Sequence, residues 1–390
     1  MKDSSVAINI PFHRAALGEE EVQSVSEVIR SGWLTMGAKT VEFERQFASY
    51  IGAKYAIAVS SCTAGLHLAL EAIGIAEGDE VLVPTTTFTA TAEVVTYFGA
   101  RPVLVDVDQK TLNLDVADAE RKVTARTRAI IPVHFGGQPC DLDAIQALAD
   151  LRHLHVVEDA AHALPSEYHG KRIGTISELT VFSFYATKTL CTGEGGMVTT
   201  DNEAYAQRIQ MMRLHGISRD AWKRYSAEGS WYYEVIEAGY KYNFTDLQAA
   251  LGMAQLAKCG AMQETRRSIA ERYTRAFSSN PSFEVPEMLP DRTTAWHLYV
   301  LRLRLEHLRV NRDAFVRELA QAGVNVSVHF IPLHLHPFYQ RTYGYEKGDL
   351  SVAESQYHRC LSLPIYPGMT EEEVQYVIST VIELAARFSK

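Results

Sequence analysis

The sequence predicts an α/β protein with a large, mostly parallel sheet and a smaller C-terminal α+β part. Short apolar runs typical of strands alternate with helical patterns from Tyr55 to Leu214, and repeated β-loop-α units build a parallel sheet with helices on both faces. At 390 residues the chain is too long for one core. We therefore predict a large α/β/α domain over residues 1–255, with its N-terminal segment packed on the other domain, and a small α+β domain over residues 256–390.

The individual elements follow from periodicity and from turn residues. Helices are predicted at 18–29, 41–51, 90–98, 143–151, 203–214, 247–256, 266–277, 312–322 and 371–388. Strands are predicted at 55–60, 81–84, 102–107, 155–159, 181–185, 197–199, 298–305 and 324–330, with a strand and glycine loop over 129–139. The remaining segments include a loop with an exposed Trp33 at 31–37 and an aromatic loop at 222–242.

Composition excludes several classes of protein. The 47 acidic residues outnumber the 38 basic ones, which gives a net charge of −9 and argues against a nucleic-acid surface. The five cysteines lack CxxC spacing, so neither a disulfide framework nor a zinc site is indicated. No apolar stretch approaches the roughly 18 residues that cross a bilayer. These features favour a cytoplasmic enzyme.

A lysine-centred loop follows one of the predicted strands. The run 181–185 breaks into Thr187-Lys188-Thr189, and a glycine-rich stretch leads to the next apolar run at Met197. This order places Lys188 at the edge of a sheet. Desolvation and neighbouring charge can lower the pKa of an amine enough to expose its lone pair, so Lys188 is a candidate Schiff-base former. A solvated turn lysine is the alternative for any isolated Lys.

Two other strand ends carry residues suited to a phosphorylated, aromatic ligand. Ser61-Cys62-Thr63-Ala64 joins a strand to a helix, which aims free backbone N–H groups and the positive end of the helix dipole at one point. Similar turns also cap helices without any ligand. Phe88 lies in the next strand-end loop, where it either stacks on a flat ring or joins the core.

Asp159 ends the strand 155–159, directly after Glu158 and before Ala160, Ala161 and His162. A buried carboxylate is costly unless it meets a cation. A protonated pyridine nitrogen is such a cation, and the pairing keeps the ring an electron sink. The alternative is an Asp that caps the following helix.

Three histidines lie close together in the sequence and raise the question of a metal site: His329, His334 and His336. No nearby Asp, Glu or Cys completes a ligand shell, and Pro332 and Pro337 indicate a loop. We therefore predict no metal site, and we expect His329 to face the substrate from the end of its strand.

Taken together, the order of phosphate cradle, stacking aromatic, strand-end aspartate and lysine resembles the fold-type I pyridoxal-phosphate enzymes, and more narrowly the DegT-type sugar aminotransferases. The resemblance spans nearly the whole chain. The segments that carry it are Ser31-Gly32-Trp33, Ser60-Ser61-Cys62-Thr63-Ala64, Glu158-Asp159-Ala160-Ala161-His162, Ser183-Phe184-Tyr185-Ala186-Thr187-Lys188, Gly239-Tyr240-Lys241-Tyr242-Asn243, Ala295-Trp296-His297-Leu298 and Leu363-Pro364. Three of these segments are most similar to UDP-4-amino-4-deoxy-L-arabinose synthase-like members.

The resemblance implies a role for each matching residue. It implies that Lys188 binds pyridoxal phosphate covalently and moves the proton, that Asp159 holds the ring nitrogen, and that Phe88 stacks on the ring. The other implied cofactor contacts are the 3-oxygen neighbour His162, where many relatives carry Gln, the phosphate ligands Cys62, Thr63 and Ser183, and Lys241 or Asn243 from a partner subunit. Expected substrate contacts are Trp33, Thr35, His215 and His329.

The implied reaction transfers the amino group of L-glutamate, which leaves as 2-oxoglutarate, to a keto carbon of a nucleotide-linked sugar. Relatives that dehydrate their substrate carry His in place of the lysine, so the intact Lys188 favours transamination. C4 is the expected position and C3 the alternative. A lyase or decarboxylase on the same fold, or a regulatory protein that retains the fold, are further alternatives, but no DNA-binding appendage is evident. A homodimer with shared active sites is expected.

Overall fold

The computed structural model describes residues 9–218 and 232–390, and a seven-stranded sheet forms its centre. The first nine strands are β1 (Tyr55–Val59), β2 (Glu80–Pro84), β3 (Arg101–Val105), β4 (Thr127–Ile130), β5 (His155–Asp159), β6 (Glu167–Tyr168), β7 (Lys171–Arg172), β8 (Leu179–Ser183) and β9 (Gly196–Thr200). The central sheet has the order β1-β9-β8-β5-β4-β2-β3. Its neighbouring pairs are parallel except those of β9, which is antiparallel to both β1 and β8. The predicted fold class is confirmed.

Helices cover both faces of this sheet. The first eight are α1 (Glu19–Ser31), α2 (Ala38–Ile51), α3 (Cys62–Ala72), α4 (Ala90–Thr96), α5 (Val116–Lys122), α6 (Leu142–Arg152), α7 (Glu203–Met212) and α8 (Asp246–Phe277). Successive side chains of a strand point to opposite faces, so Ala56 and Ala58 join one apolar cluster while Ile57 and Val59 join the other. The sheet is therefore buried on both sides, as a parallel sheet requires.

The C-terminal part contains α9 (Arg312–Gln321), α10 (Pro337–Tyr343), α11 (Ser351–Tyr357) and α12 (Glu371–Arg387), with β10 (Phe283–Glu284), β11 (Arg292–Thr293), β12 (Tyr299–Leu303) and β13 (Cys360–Leu363). Strands β10, β12 and β13 form a small antiparallel sheet, and β11 pairs with β6. A separate apolar cluster joins this part to Ile10, whose amide donates to the Gly323 carbonyl at 2.8 Å. Ile10, near the start of the described residues, thus packs against the C-terminal part.

The break predicted between two helices and one predicted strand are wrong. The helices expected at 247–256 and 266–277 are one continuous helix, α8, because nothing between them breaks the helix and residues on both halves are buried. The domain boundary proposed at residue 255 consequently falls inside α8. The strand expected at 324–330 is absent because the segment changes partners: Val324 bridges to Ile10, whereas Ser327 bridges to Ser362.

Other expectations were close or fall outside the described residues. Strand β8 lies two residues earlier than the predicted 181–185. Residues 222–231 of the aromatic loop lie outside the described residues. No helix within residues 9–218 and 232–390 is both long and apolar enough to cross a membrane.

Asp246 joins the start of α8 to the start of α2. Its buried carboxylate accepts hydrogen bonds from the Gly37 amide at 2.8 Å and from the Thr40 amide and hydroxyl at 2.9 and 2.7 Å. A Cβ on Gly37 would lie 2.7 Å from the carboxylate, so only glycine permits this approach. The carboxylate thereby caps the N-terminus of α2 from another helix.

We expect Asp246→Ala to lower the free energy of unfolding by about 3 kcal/mol, because it leaves several buried donors without an acceptor. Urea denaturation monitored by circular dichroism measures this change. Asp150→Ala, which removes an exposed carboxylate from α6, is the control. A loss below about 1 kcal/mol for Asp246→Ala would contradict the capping role.

Candidate active site

A cavity of about 470 Å³ lies at the edge of the central sheet where β1, β2, β5 and β8 end. Parallel strands bring their carboxyl ends to one edge, and ligands of such sheets bind there. The predicted site residues in its wall are Cys62, Thr63, Phe88, Asp159, His162, Ser183, Lys188 and His329. The structure therefore brings together residues that are far apart in the sequence.

The remaining predicted site residues lie outside the wall of this cavity. Trp33 donates its indole N–H to the Met36 carbonyl at 3.2 Å, and the Thr35 carbonyl accepts from the Asp246 amide at 3.1 Å. His215 and Lys241 are exposed on adjoining segments, which the bridge between Leu214 and Lys241 connects. Asn243 bridges to Val59 at the end of β1. One copy of the chain does not place these five residues in its own cavity.

The start of α3 forms a turn with two free backbone amides. Ser61 is its N-cap and accepts from the Ala64 amide at 3.0 Å, which leaves the amides of Cys62 and Thr63 without an intrahelical partner. Gly196 at the start of β9 closes the turn, since a Cβ there would lie 2.8 Å from the Cys62 nitrogen. Two free amides and a helix dipole at one point suit a phosphate group.

Asp159 is a buried carboxylate without a cationic partner among the described residues. It accepts hydrogen bonds from the Thr91 hydroxyl at 2.8 Å and the Ala161 amide at 3.0 Å, and it forms no ion pair. Burial raises its pKa, and the hydrogen bonds from Thr91 and Ala161 offset only part of that effect. A cation placed beside it would remove the cost of burying this charge.

Glu158, the other acid at this strand end, faces away from the cavity. It is fully buried and binds His134 at 2.7 Å and the Ser177 amide and Thr180 hydroxyl at 3.1 Å each. Burial raises its pKa, but these hydrogen bonds outweigh burial and hold the pKa below its usual range. Alternation along β5 therefore separates a structural acid from an acid that faces a ligand.

Lys188 is partly buried in the cavity wall. Its backbone amide donates to the Tyr185 carbonyl at 2.9 Å, which closes a turn at the end of β8. Burial lowers the pKa of its amine to about 8, although the Cys62 thiol and the Asp159 carboxylate act to raise it. Near neutral pH a useful fraction of the amine is therefore unprotonated and nucleophilic.

This pKa predicts the pH dependence of Schiff-base formation. The rate at which pyridoxal phosphate attaches to the apoenzyme should rise with pH, since only the unprotonated amine attacks, and should level off above about pH 8. Stopped-flow absorbance over a pH series measures this rate. A rate that keeps rising to about pH 10.4, the ordinary pKa of a lysine, would contradict the lowered value.

The hydrogen bond to His162 defines its tautomer. Its Nδ1 accepts from the Gly136 amide at 3.3 Å, so the proton of the neutral ring lies on Nε2. Burial and the nearby Lys188 lower the pKa of His162 well below its usual value. The ring is thus a neutral N–H donor, as is the Gln that the related pattern carries at this position.

The sequence prediction missed several residues of the cavity wall. They are Phe12, Thr87, Thr91, Tyr185, Glu194, His297 and Phe330. Thr91 lies on α4, and no local pattern marks it as the partner of Asp159. Phe12, His297 and Phe330 come from the two ends of the chain. Only the Ala295-Trp296-His297-Leu298 segment carried a signal, as part of the resemblance.

No candidate metal site is found within the described part of the chain. No group of three or more His, Cys, Asp or Glu side chains there is arranged to hold a metal ion. His334 instead binds Thr85 at 2.9 Å and Glu354 at 2.9 Å.

The cavity thus fits a phosphorylated pyridine aldehyde in three ways. Free amides at a helix start suit its phosphate, an unpaired buried carboxylate suits its ring nitrogen, and an amine of lowered pKa suits its aldehyde. Together with the parallel sheet, this combination defines an enzyme that depends on pyridoxal phosphate.

Comparisons with known proteins identify the family. The model of the DegT/DnrJ/EryC1/StrS aminotransferase family matches residues 15–382. The chain is 52% identical over 377 residues to the uncharacterized protein MJ1066 of Methanocaldococcus jannaschii, covering 97% of this chain and 98% of that protein. It is 49% identical over 376 residues to the spore coat polysaccharide biosynthesis protein SpsC of Bacillus subtilis, covering 96% and 97%.

A solved structure agrees with these sequence matches. The putative sugar aminotransferase Spr1654 from Streptococcus pneumoniae, in its PLP form, superimposes with a TM-score of 0.91 at 32% identity, covering 97% of this chain and 99% of that chain. The chain belongs to the DegT/DnrJ/EryC1/StrS aminotransferase family. The resemblance to DegT-type sugar aminotransferases is confirmed, as are the enzyme class and the cofactor.

Proposed function

We propose that this chain transfers the amino group of L-glutamate to the C4 keto carbon of a nucleotide-linked sugar and acts in the cytoplasm as a homodimer with shared active sites. The observation that carries the proposal is the Lys188 amine of lowered pKa in a cavity that also holds the unpaired Asp159. The name of the relative SpsC refers to polysaccharide biosynthesis. An amino sugar for a polysaccharide, lipid or glycoside is the corresponding product.

Each residue of the cavity has a distinct task in this proposal. Pyridoxal phosphate, when bound, supplies an electron sink for the bonds of the reacting carbon. The Cys62 and Thr63 amides and the Ser183 hydroxyl would hold its phosphate, and Asp159 would keep its ring nitrogen protonated. Lys188 would anchor the aldehyde and move a proton to and from the reacting carbon.

The ring itself is positioned by two further side chains. Phe88 is 62% exposed at the cavity mouth, which leaves its face free to cover a flat ring. The Nε2–H of His162 donates to the 3-oxygen of the ring. Because the Gly136 amide donates to Nδ1, the ring cannot turn this acceptor nitrogen toward that oxygen without losing the hydrogen bond from Gly136.

The partner copy completes the site in this proposal. Trp33, Thr35, His215, Lys241 and Asn243 lie outside the cavity of their own chain, and we assign them to substrate or phosphate contacts in the partner's cavity. The Tyr242 carbonyl accepts from the Ser60 amide at 2.8 Å, so the loop that bears Lys241 is held beside the end of β1. Light scattering should give twice the 43.5 kDa mass of one chain.

Two measurements test the reaction. Addition of glutamate to the holoenzyme should bleach the absorbance of the lysine-bound cofactor, and an unmoved spectrum would exclude glutamate as donor. A panel of 4-keto and 3-keto sugars linked to UDP, dTDP or GDP, with products followed by mass, then tests position and nucleotide. Amination of only the 3-keto substrates would replace C4 by C3, and no amination of any of them would contradict the assignment of nucleotide sugars.

A further inference from the structure

Three imidazoles line one side of the cavity and form what we call the histidine wall: His162, His297 and His329. The ring centroids of His162 and His297 lie 4.4 Å apart. Phe330 stacks on His162 at 6.0 Å and packs edge-on against His329 at 4.9 Å. The task assigned above to His162 leaves His297 and His329 without a role in holding the cofactor.

His297 is a buried polar side chain without a partner. It is 7% exposed, and neither of its ring nitrogens forms a hydrogen bond with any of the described residues. Nδ1 is enclosed by protein, so Nε2 is the nitrogen that can meet a ligand in the cavity. His329 uses Nδ1 to bind the Ser362 hydroxyl at 2.8 Å, which leaves Nε2 for the cavity that it lines. Unsatisfied buried polar groups are rare and costly, so their presence in a cavity wall points to a ligand.

A buried cation, Arg266, lies next to the histidine wall. Arg266 on α8 is 1% exposed and donates only to backbone carbonyls, those of Ile365 at 2.7 Å and of Trp296, the neighbour of His297, at 3.4 Å. No carboxylate of the described residues forms an ion pair with it, and its Nε has no hydrogen-bond partner. A guanidinium buried without a counter-ion creates a positive potential that an anion in the cavity would relieve.

The surroundings keep the imidazoles neutral while the cavity is free. Burial lowers the pKa of His297 well below its usual value, and His162, Lys188, Arg266 and His329 lower it further. Burial and Lys188 lower the pKa of His329 to about 4. The groups that face His297 are thus cationic or neutral, and its enclosed Nδ1 has no acceptor for a second proton, so His297 stays neutral.

The enzyme must accept two unlike substrates in one cavity, which follows from the proposed function and rests on it. The amino donor carries carboxylates, whereas the sugar ring that follows it offers uncharged hydroxyl groups. A fixed cation would suit the first and not the second. We propose that His297 and His329 bind a carboxylate of the amino donor through Nε2. His297 donates a hydrogen bond as a neutral ring, whereas His329 gains a proton from solvent when the donor binds and releases it when the donor leaves.

The direction of the pH dependence follows from this coupling. A carboxylate within about 4 Å of an imidazole in a water-poor site favours the imidazolium and raises its pKa by up to about 3 units, which brings the pKa of His329 from about 4 to near neutral. Donor binding slightly below neutral pH therefore takes up a proton, and the affinity for a dicarboxylate falls as pH rises. Binding of the sugar involves no such uptake because the neutral imidazoles exchange hydrogen bonds with hydroxyl groups in either tautomer.

Calorimetric titration of the holoenzyme with glutarate, a dicarboxylate that lacks the amino group, tests the proposal. Titrations at about pH 6 in two buffers of different ionisation enthalpy count the protons, and we expect about one proton taken up per site in the wild type. His329→Gln keeps a hydrogen-bonding side chain but cannot become a cation. It should bind glutarate about tenfold or more weakly, with almost no proton uptake and little dependence on pH.

Two further variants make the result decisive. His297→Leu removes the neutral N–H donor and should weaken glutarate binding while keeping proton uptake, and melting curves check both variants. His155→Gln changes a partly exposed histidine at the opposite end of β5 and should behave as the wild type. Absence of glutarate binding, absence of proton uptake by the wild type, or unchanged uptake in His329→Gln would overturn the proposal. Failure of the proposed function itself appears separately, as a cofactor spectrum that glutamate does not bleach.

Discussion

Replacement of Lys188 by alanine is expected to lower turnover by about 10⁴-fold or more. The substitution removes the nucleophile that anchors the cofactor and also the group that moves the proton, and positioned proton transfer alone contributes up to about 10⁴-fold. Pyridoxal phosphate should still bind, at lower affinity, because the start of α3 and Asp159 remain in place. Steady-state assays and cofactor retention after gel filtration measure both effects.

Lys171→Ala is the matched control because Lys171 is an exposed lysine of the same chain, on β7. It should retain wild-type turnover and a lysine-bound cofactor spectrum. Turnover by Lys188→Ala at more than about a hundredth of the wild-type rate would exclude the assigned role, since neither covalent binding nor proton transfer would then depend on this residue.

Asp159→Asn is expected to lower turnover by about 10³-fold while leaving the apoenzyme at least as stable as the wild type. The loss of activity follows from removing the charge that holds the ring nitrogen protonated. The unchanged stability follows from the raised pKa of Asp159: its folded pKa exceeds the unfolded value, so the ionised carboxylate costs stability at neutral pH. Asparagine removes that cost.

The neighbouring hydrogen bonds can adapt to this substitution. Oδ1 of an asparagine still accepts from the Ala161 amide, and its amino group can donate to the Thr91 hydroxyl, which lies 2.8 Å from the Thr87 hydroxyl and can turn toward it. The buried polar groups therefore remain satisfied. Thermal melting of the apoenzyme and assays of the holoenzyme measure the two effects independently.

Glu158→Gln is the control for Asp159→Asn, because it changes the adjacent carboxylate, which faces away from the cavity. Its folded pKa lies below the usual range, so the ionised carboxylate stabilises the fold at neutral pH, and this contribution is lost as the pH falls through the carboxyl range. We expect this variant to lose about 2 kcal/mol of stability, because three donors depend on the carboxylate, and to keep its turnover per folded molecule. Equal effects of the two variants on turnover would contradict the separation of their roles.

Much of the site could be predicted because it depends on local order in the sequence. Four site residues lie at or just after the end of a strand: Cys62, Phe88, Asp159 and Lys188. Because parallel strands end at one edge of the sheet, these residues can be predicted to lie close together without knowledge of the packing. The same rule could not reach His297 or Phe330. These residues arrive at the cavity through the packing of the C-terminal part on the sheet.

The errors in the fold have a similar cause. The two predicted halves of α8 each show helical periodicity, but among residues 257–265 between them only Cys259 and Met262 are buried, which weakens the apolar pattern in the sequence. The segment 324–330 has the composition of a strand, yet Val324 and Ser327 bridge to different segments and no continuous ladder forms. Long-range pairing of this kind leaves no local signal.

Reduction of the purified holoenzyme with borohydride, followed by peptide mapping, tests the central claim most directly. The Schiff base between the cofactor and an amine becomes a stable secondary amine, so the labelled residue can be read by mass. We predict the pyridoxyl label on the peptide that contains Lys188. A label on a different lysine, or the absence of any label in protein that contains the cofactor, would contradict the account.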